Sequence, residues 1–191
     1  KHVLSILGAL RQTMAKKLDL IPEGLFNLLW IVEMPFFEFD EELGEWVAMH
    51  HPFTAPMDEC LEYLESDKGS VRAQSYDLVL NGIELSSGSI RITDPELQAR
   101  IFDLLGMSDE EAYEKFGFLL DAFQYGPPPH GGMGIGLDRL CMQMIGAETL
   151  RDVVAFPKTK DASEPMTSCP SPADAEQLEV LGLQLMEKAD E

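Results

Sequence analysis

Tyr76-Asp77-Leu78-Val79-Leu80-Asn81-Gly82-Ile83-Glu84-Leu85 is the stretch that decides the fold. Strand-like runs flank Asn81-Gly82, a dipeptide that readily takes the two positive φ angles of a tight hairpin turn. A two-residue turn sets the register: Leu80 faces Ile83, Val79 faces Glu84 and Asp77 faces Ser86. Alternation then puts Asp77, Val79, Glu84 and Ser86 on one sheet face. Asp77 and Glu84 become diagonal neighbours, with Cβ atoms about 7 Å apart.

Outward from the hairpin, residues 2–20 read as a helix. Val3, Leu4, Leu7, Leu10, Met14 and Leu18 recur at helical spacing, with Arg11, Lys16 and Lys17 on the other side, and Pro22 ends it. Leu28-Leu29-Trp30-Ile31-Val32 reads as a buried strand bounded by Pro35. Phe36-Phe37, the acidic turn Asp40-Glu41-Glu42 and a short strand, Trp46-Val47-Ala48-Met49, follow; two strands joined by a polar turn read as a hairpin. Residues 50–56 form a loop by their prolines, and 57–64 a short helix. Asp94-Pro95 opens a helix through Leu105 with Gly106 as its C-cap. Ser108 caps the next, with Glu111 placed as in a capping box, and that helix runs to Phe123. After the break at 126–129, residues 131–136 form a Gly-rich strand, 138–145 a helix and 153–156 a strand. A polar loop, 157–172, leads to a closing helix from about Ala173. Hairpin-joined strands with helices set apart predict an α+β fold, an antiparallel sheet with flanking helices.

The 191 residues are 45% hydrophobic and suit one domain, or one and a fraction. Ten Phe and ten Met exclude a disordered chain. The most apolar stretch, 25–39, is interrupted by Glu33, Pro35 and Glu38, which excludes a membrane span. Fourteen Lys and Arg against 34 Asp and Glu give a net charge of −20. Such a surface repels phosphate backbones, so nucleic acid contact needs a local basic site or basic surface elsewhere in a larger protein. Cys60, Cys141 and Cys169 are odd in number and widely spaced, which fits neither a disulfide framework nor zinc and suits a reducing, cytoplasmic setting. The chain opens at Lys1 without Met, as a fragment would.

Four groups of residues carry chemistry. Asp77 and Glu84 repel one another unless a cation lies between them, and Mg²⁺ commonly takes one or two carboxylates plus phosphates. From pattern alone, a solvated sheet face accounts for both acids better. Arg91 closes Ser86-Ser87-Gly88-Ser89-Ile90-Arg91. Strict alternation puts it opposite Glu84, and a bulge at Gly88 would restore it to that face. There it could pair with a carboxylate or phosphate; a surface Arg at a strand end explains it equally. His50-His51 lacks further ligands for zinc; the pair could contact a substrate, and a partly buried structural histidine is the plainer account. Finally, Gly131-Gly132-Met133-Gly134-Ile135-Gly136-Leu137-Asp138-Arg139 joins strand to helix. Gly132, Gly134 and Gly136 alternate, so one strand face is bare and could receive a flat ring. Arg139 in the first helical turn would meet that ring's phosphates. Close strand–helix packing is the other explanation.

These residues are also recognisable together. Gly134-Ile135-Gly136-Leu137-Asp138-Arg139-Leu140 resembles the third signature of class II aminoacyl-tRNA synthetases. His50-His51-Pro52-Phe53-Thr54, Asn81-Gly82-Ile83-Glu84-Leu85, Gly88-Ser89-Ile90-Arg91-Ile92, Lys115-Phe116-Gly117-Phe118-Leu119-Leu120 and Phe156-Pro157-Lys158 resemble, in order, the C-terminal part of the catalytic domain of bacterial-type aspartyl-tRNA synthetases. On that resemblance residues 1–20 are the end of an inserted domain and 21–191 the C-terminal part of the catalytic domain. The first and second class signatures and the anticodon-binding barrel are missing from the stretch given. Met133-Gly134-Ile135 is a variant where bacterial relatives often carry alanine and phenylalanine.

The resemblance implies a ligase that activates aspartate with ATP and passes it to tRNA, working as a homodimer in the cytoplasm. It assigns Asp77 and Glu84 to ATP-bound Mg²⁺, and His50 and Arg91 to aspartate. Gly136, Leu137, Asp138 and Arg139, with Glu84, fall to ATP; Arg139 meets the γ-phosphate. Arg139 and Glu84 are the residues assigned to catalysis. The isolated chain, lacking the second signature's α-phosphate clamp, is expected to fold from Leu25 onward yet be inactive. A non-catalytic relative that binds a ligand or partner is the alternative; loss of Arg139, Glu84 or Arg91 would favour it, and all three are present. Lysine and asparagine enzymes are disfavoured by Gly88-Ser89-Ile90-Arg91 and the histidine pair.

Overall fold

The computed structural model describes residues 2–186 and divides into two compact units, 1–136 and 137–191. The first opens with helix α1 (His2–Lys17), whose apolar residues stay exposed, Leu7 at 54% and Leu10 at 53%. Strands β1 (Leu28–Val32), β4 (Ser75–Leu80), β5 (Ile83–Ile90) and β6 (Gly131–Ile135) then form an antiparallel four-stranded sheet in the order β1-β4-β5-β6. Strands β2 (Phe37–Asp40) and β3 (Glu45–Ala48) pair separately. Helices α2 (Pro95–Leu104) and α3 (Asp109–Phe123) come between β5 and β6. This is the α+β arrangement that the hairpin signals predict.

The Asn81-Gly82 turn has φ of 49° and 83°, as the tight hairpin requires. Asn81 also pins the turn to the segment before β1. Its Oδ1 accepts from the Asn27 N–H at 2.9 Å, and its Nδ2 donates to the Leu25 carbonyl at 2.8 Å. The helix caps follow their chemistry: the Asp94 side chain accepts from the Glu96 N–H, and Ser108 from the Glu111 N–H. Glu111 itself reaches forward to Lys115 at 2.5 Å.

Several sequence expectations change. Leu28–Val32 is not a buried strand and not half of the expected hairpin. The partner of β3 is β2, while β1 runs along β4 at the sheet edge with every residue exposed. An apolar composition says that a strand is suited to burial, but an edge position leaves it uncovered unless another element packs there. The core instead lies around the 53–73 segment and α2, where Phe36, Phe37, Leu64, Val71, Ile92 and Ile101 are buried together.

The hairpin register changes as well. Leu80 faces Ile83 and Val79 faces Glu84, but Leu78 then faces Ser86 and Asp77 faces Ser87. Leu85 is the extra residue of a bulge, so alternation along β5 flips there. Ser86 leaves the Asp77 face, and Ser87 and Ser89 join it. The expected bulge therefore exists, three residues before Gly88. Gly88 has a different role: a Cβ there would stand 2.8 Å from both Met133 Cβ and Tyr76 Cε2.

The second unit contains α4 (Leu137–Ile145), a 3₁₀ turn at Leu150–Asp152 capped by Thr149, and α5 (Ala175–Val180). Residues 153–156 form no strand; a four-residue apolar run finds no partner there among the described residues. The closing helix starts two residues after Ala173, and residues 187–191 of that expectation lie outside the described residues.

Candidate active site

Residues from three segments of the first unit meet on one face of the sheet. The bulge brings Ser87 and Ser89 level with Asp77 and Ser75 on β4, and with Gly134 and Gly132 on β6. The loop after β3 is stitched along the end of β5: the Ala55 N–H donates to the Ile90 carbonyl at 2.9 Å, and the Ile92 N–H to Phe53 at 3.0 Å. Thr54 lies opposite Arg91 in that ladder. His51, carried by this loop, thus reaches Arg91 across 40 residues of sequence, while His50 beside it lies against Ser75 of β4. His50, His51, Thr54, Ser87, Gly88, Ser89 and Arg91 line an open depression of about 220 Å³.

The hydrogen bonds within it are specific. Arg91 Nη1 donates to Ser89 Oγ at 3.0 Å and to His51 Nδ1 at 3.1 Å. Thr54 Oγ1, fully buried, donates to Ser89 Oγ at 3.3 Å. His50 Nε2 lies 3.2 Å from the hydroxyl of buried Ser75. Burial pushes the His50 pKa below its ordinary value, with Asp77 pulling the other way. His51 is lowered by burial first, then by the positive Arg91 and by His50. Both imidazoles therefore favour the neutral form.

Asp77 and Glu84 share this face as diagonal neighbours, Glu84 opposite Val79 and Asp77 two residues along β4. Gly132 and Gly134 are bare as expected: a Cβ at either would meet nothing within 4 Å. The Gly136 N–H continues the ladder by donating to the Leu85 carbonyl at 2.9 Å. Within the second unit, Leu137, Asp138 and Arg139 form the first turn of α4. No helix among the described residues is long and apolar enough to cross a membrane.

From the sequence, His50 took an assigned role, while His51, Thr54, Ser75, Ser87 and Ser89 took none. The two serines of β5 stood in the Ser86–Ser89 run, but only the bulge position reveals which of them share the face of Asp77.

The third-signature run, the sheet and the histidine–arginine cluster together define a class, and a family profile agrees. The profile described as "tRNA synthetases class II (D, K and N)" matches residues 10–160, and the chain belongs to that family. Among curated proteins, the aspartate–tRNA ligase of Ruminiclostridium cellulolyticum is 54% identical over 183 residues, 96% of this chain and 31% of that protein. The aspartate–tRNA(Asp/Asn) ligase of Lachnoclostridium phytofermentans is 52% identical over 191 residues, 100% of this chain and 32% of its own. The chain thus spans about a third of the length of these relatives. The solved aspartyl-tRNA synthetase of Entamoeba histolytica superposes with a TM-score of 0.52 at 25% identity, covering 70% of this chain and 23% of that one. The asparaginyl-tRNA synthetase of the same organism shares the fold, with a TM-score of 0.52 at 22% identity.

Proposed function

We propose that this chain is the C-terminal part of the catalytic domain of an aspartate–tRNA ligase, with residues 1–20 ending an inserted domain. The observation that carries the reading is Arg91, held by Ser89 and His51 at the wall of a small polar depression. A guanidinium fixed in this way suits a carboxylate of the size of aspartate. Asparagine, uncharged, would leave it unpaired, which is a strong basis for discrimination. His50 stands on the same wall and completes the aspartate site.

ATP is assigned to the neighbouring strip of the sheet. The bare face of Gly132 and Gly134 suits an adenine ring laid against backbone. The resemblance assigns Gly136, Leu137, Asp138, Arg139 and Glu84 to ATP. Asp77 and Glu84 offer two hard carboxylate oxygens on one face, which suits Mg²⁺ bound together with phosphate oxygens. When bound, such an ion neutralises phosphate charge.

In the reaction an oxygen of the aspartate α-carboxylate attacks the α-phosphorus of ATP. The bond to the bridging oxygen breaks, pyrophosphate leaves, and the aspartyl group later passes to tRNA. Arg91 fixes the side-chain carboxylate so that the α-carboxylate is aimed, which is a contribution of position. Arg139 offsets charge on the departing pyrophosphate. The full-length protein works as a cytoplasmic homodimer on aspartate, ATP and tRNA, and the chain by itself lacks activity.

The test is aspartate-dependent pyrophosphate exchange by the full-length ligase carrying this segment. Arg91→Ala is expected to abolish it, and unchanged exchange would remove Arg91 from the substrate site.

A further inference from the structure

Arginine has five donors and no acceptor. Every neighbour that bonds Arg91 must therefore accept. Its Nη1 touches two such atoms, Ser89 Oγ at 3.0 Å and His51 Nδ1 at 3.1 Å. The Phe53 N–H donates to the same Nδ1 at 3.2 Å. Nδ1 is thus a double acceptor and carries no proton. The ring's proton sits on Nε2, which lies 3.5 Å from Thr54 Oγ1.

The ring is itself braced from outside the site. Gln98 Nε2 on α2 donates to the Pro52 carbonyl at 2.9 Å. Phe53 packs edge-on against Phe102 of α2 and Phe116 of α3, with centroids 5.9 and 5.0 Å away. Two helices therefore hold the loop that holds the imidazole. Among the described residues, no carboxylate forms an ion pair with Arg91. Its orientation comes from neutral acceptors, which leave its charge available to a ligand. A carboxylate in the place of His51 would orient the guanidinium equally well and quench it.

We propose that His51 is a positioning residue for substrate recognition: its Nδ1 orients the Arg91 guanidinium toward the aspartate side-chain carboxylate. The proposal rests on the reading of Arg91 given above. Acid reverses the arrangement, because protonated Nδ1 becomes a donor facing a cation. The charged or titratable groups around the ring are Arg91 at the end of β5, His50 on its own loop and His130 before β6, which shares a wall with it. None of them is an anion.

The experiment uses the full-length ligase carrying this segment and compares His51→Phe, His51→Asn and Arg91→Ala. Phenylalanine keeps the ring without an acceptor; asparagine puts an amide oxygen near the Nδ1 position. His51→Phe is expected to raise the KM for aspartate about tenfold or more, as loss of a hydrogen bond to a charged group does. The KM for ATP should stay unchanged, and His51→Asn should recover most of the loss. Wild-type aspartate KM in His51→Phe, with Arg91→Ala inactive, would overturn the positioning role and leave the Arg91 reading standing. Equal damage in both His51 variants, to both substrates, would make the residue merely structural and also overturn it. Full activity in Arg91→Ala would overturn both readings. A measurement independent of any variant's folding is the ¹⁵N spectrum of the His51 imidazole at neutral pH. Protonated Nε2 and bare Nδ1 support the proposal; the opposite tautomer refutes it.

Discussion

Tyr76 and Gly88 face one another across β4 and β5, and the tyrosine ring occupies the space a side chain at position 88 would need. On the other side, Met133 Cβ stands 2.8 Å from the same point. The Tyr76 hydroxyl then reaches on to donate to the Gly132 carbonyl at 3.1 Å, tying β4 to β6 over the top of β5. This close approach sets the spacing of the strands that carry Arg91 and the bare glycines.

Gly88→Ala is therefore expected to destabilise the chain by about 1–3 kcal/mol, the usual cost of overpacking. Backbone as well as side chain crowds the new methyl, so rotamer changes cannot relieve it. Thermal or urea unfolding of the variant beside the parent chain measures the difference.

Gly132→Ala and Gly134→Ala should behave differently. Both positions are open, and alanine reduces the freedom of the unfolded chain, so stability should hold or rise by about 0.4–1 kcal/mol. In the proposed full-length ligase the same methyls project onto the proposed adenine platform. The KM for ATP should rise while that for aspartate holds. Unaltered ATP dependence in both variants would move the nucleotide off this strip.

Leu64 is completely buried, whereas Trp30 on β1 is 54% exposed. Leu64→Ala should cost about 2–5 kcal/mol, and Trp30→Lys, which loses the edge-on ring contact with Tyr76, should cost less, about 0.5–1.5 kcal/mol. The exposed apolar edge of β1 instead favours self-association of the isolated chain. Sedimentation is expected to show concentration-dependent oligomers that Trp30→Lys together with Ile31→Lys reduces.

The two histidines predict acid sensitivity. Their pKa values lie below the ordinary 6.5 in the folded chain, so between the folded and unfolded values the unfolded chain binds more protons. Their destabilising effect is absent well above pH 6.5, grows as pH falls through the folded values, and levels off below them. Glu65 acts lower: the hydrogen bond from Arg100 depresses it below its usual 4.5, so its contribution fades in a separate, more acidic range. Melting temperatures of the parent and of His50→Gln/His51→Asn between pH 7 and 5 should converge as the pH falls.

Much of the local architecture was legible because its causes are local. Asn81-Gly82 specifies a turn by backbone sterics, Asp94 and Ser108 start helices by satisfying the first N–H groups, and Gly132 and Gly134 leave a bare face whatever lies around them. The pairing of Val79 with Glu84 followed from the turn alone, and with it the shared face of Asp77 and Glu84.

What lay beyond the reach of local rules was decided by contacts between distant segments. The bulge at Leu85 could not be located from the β4–β5 hairpin sequence. Shifting a strand by one residue reverses every later side chain, and which register wins depends on β6 and on the loop at Phe53–Ala55, both remote in sequence. That one residue places Ser87 and Ser89 beside Asp77, and the loop then brings His51 to Arg91. The sheet edge follows the same logic. The apolar run of β1 determined that it would be a strand, while its exposure depends on what packs against it, which no property of five residues can encode. The amino-acid sequence by itself settled the turns, the caps and the third-signature run, because a few bonded neighbours suffice for them. Only the tertiary structure settled which residues share the depression beside Arg91, because that required the relative register of the β4–β5 hairpin, β6 and the loop after β3.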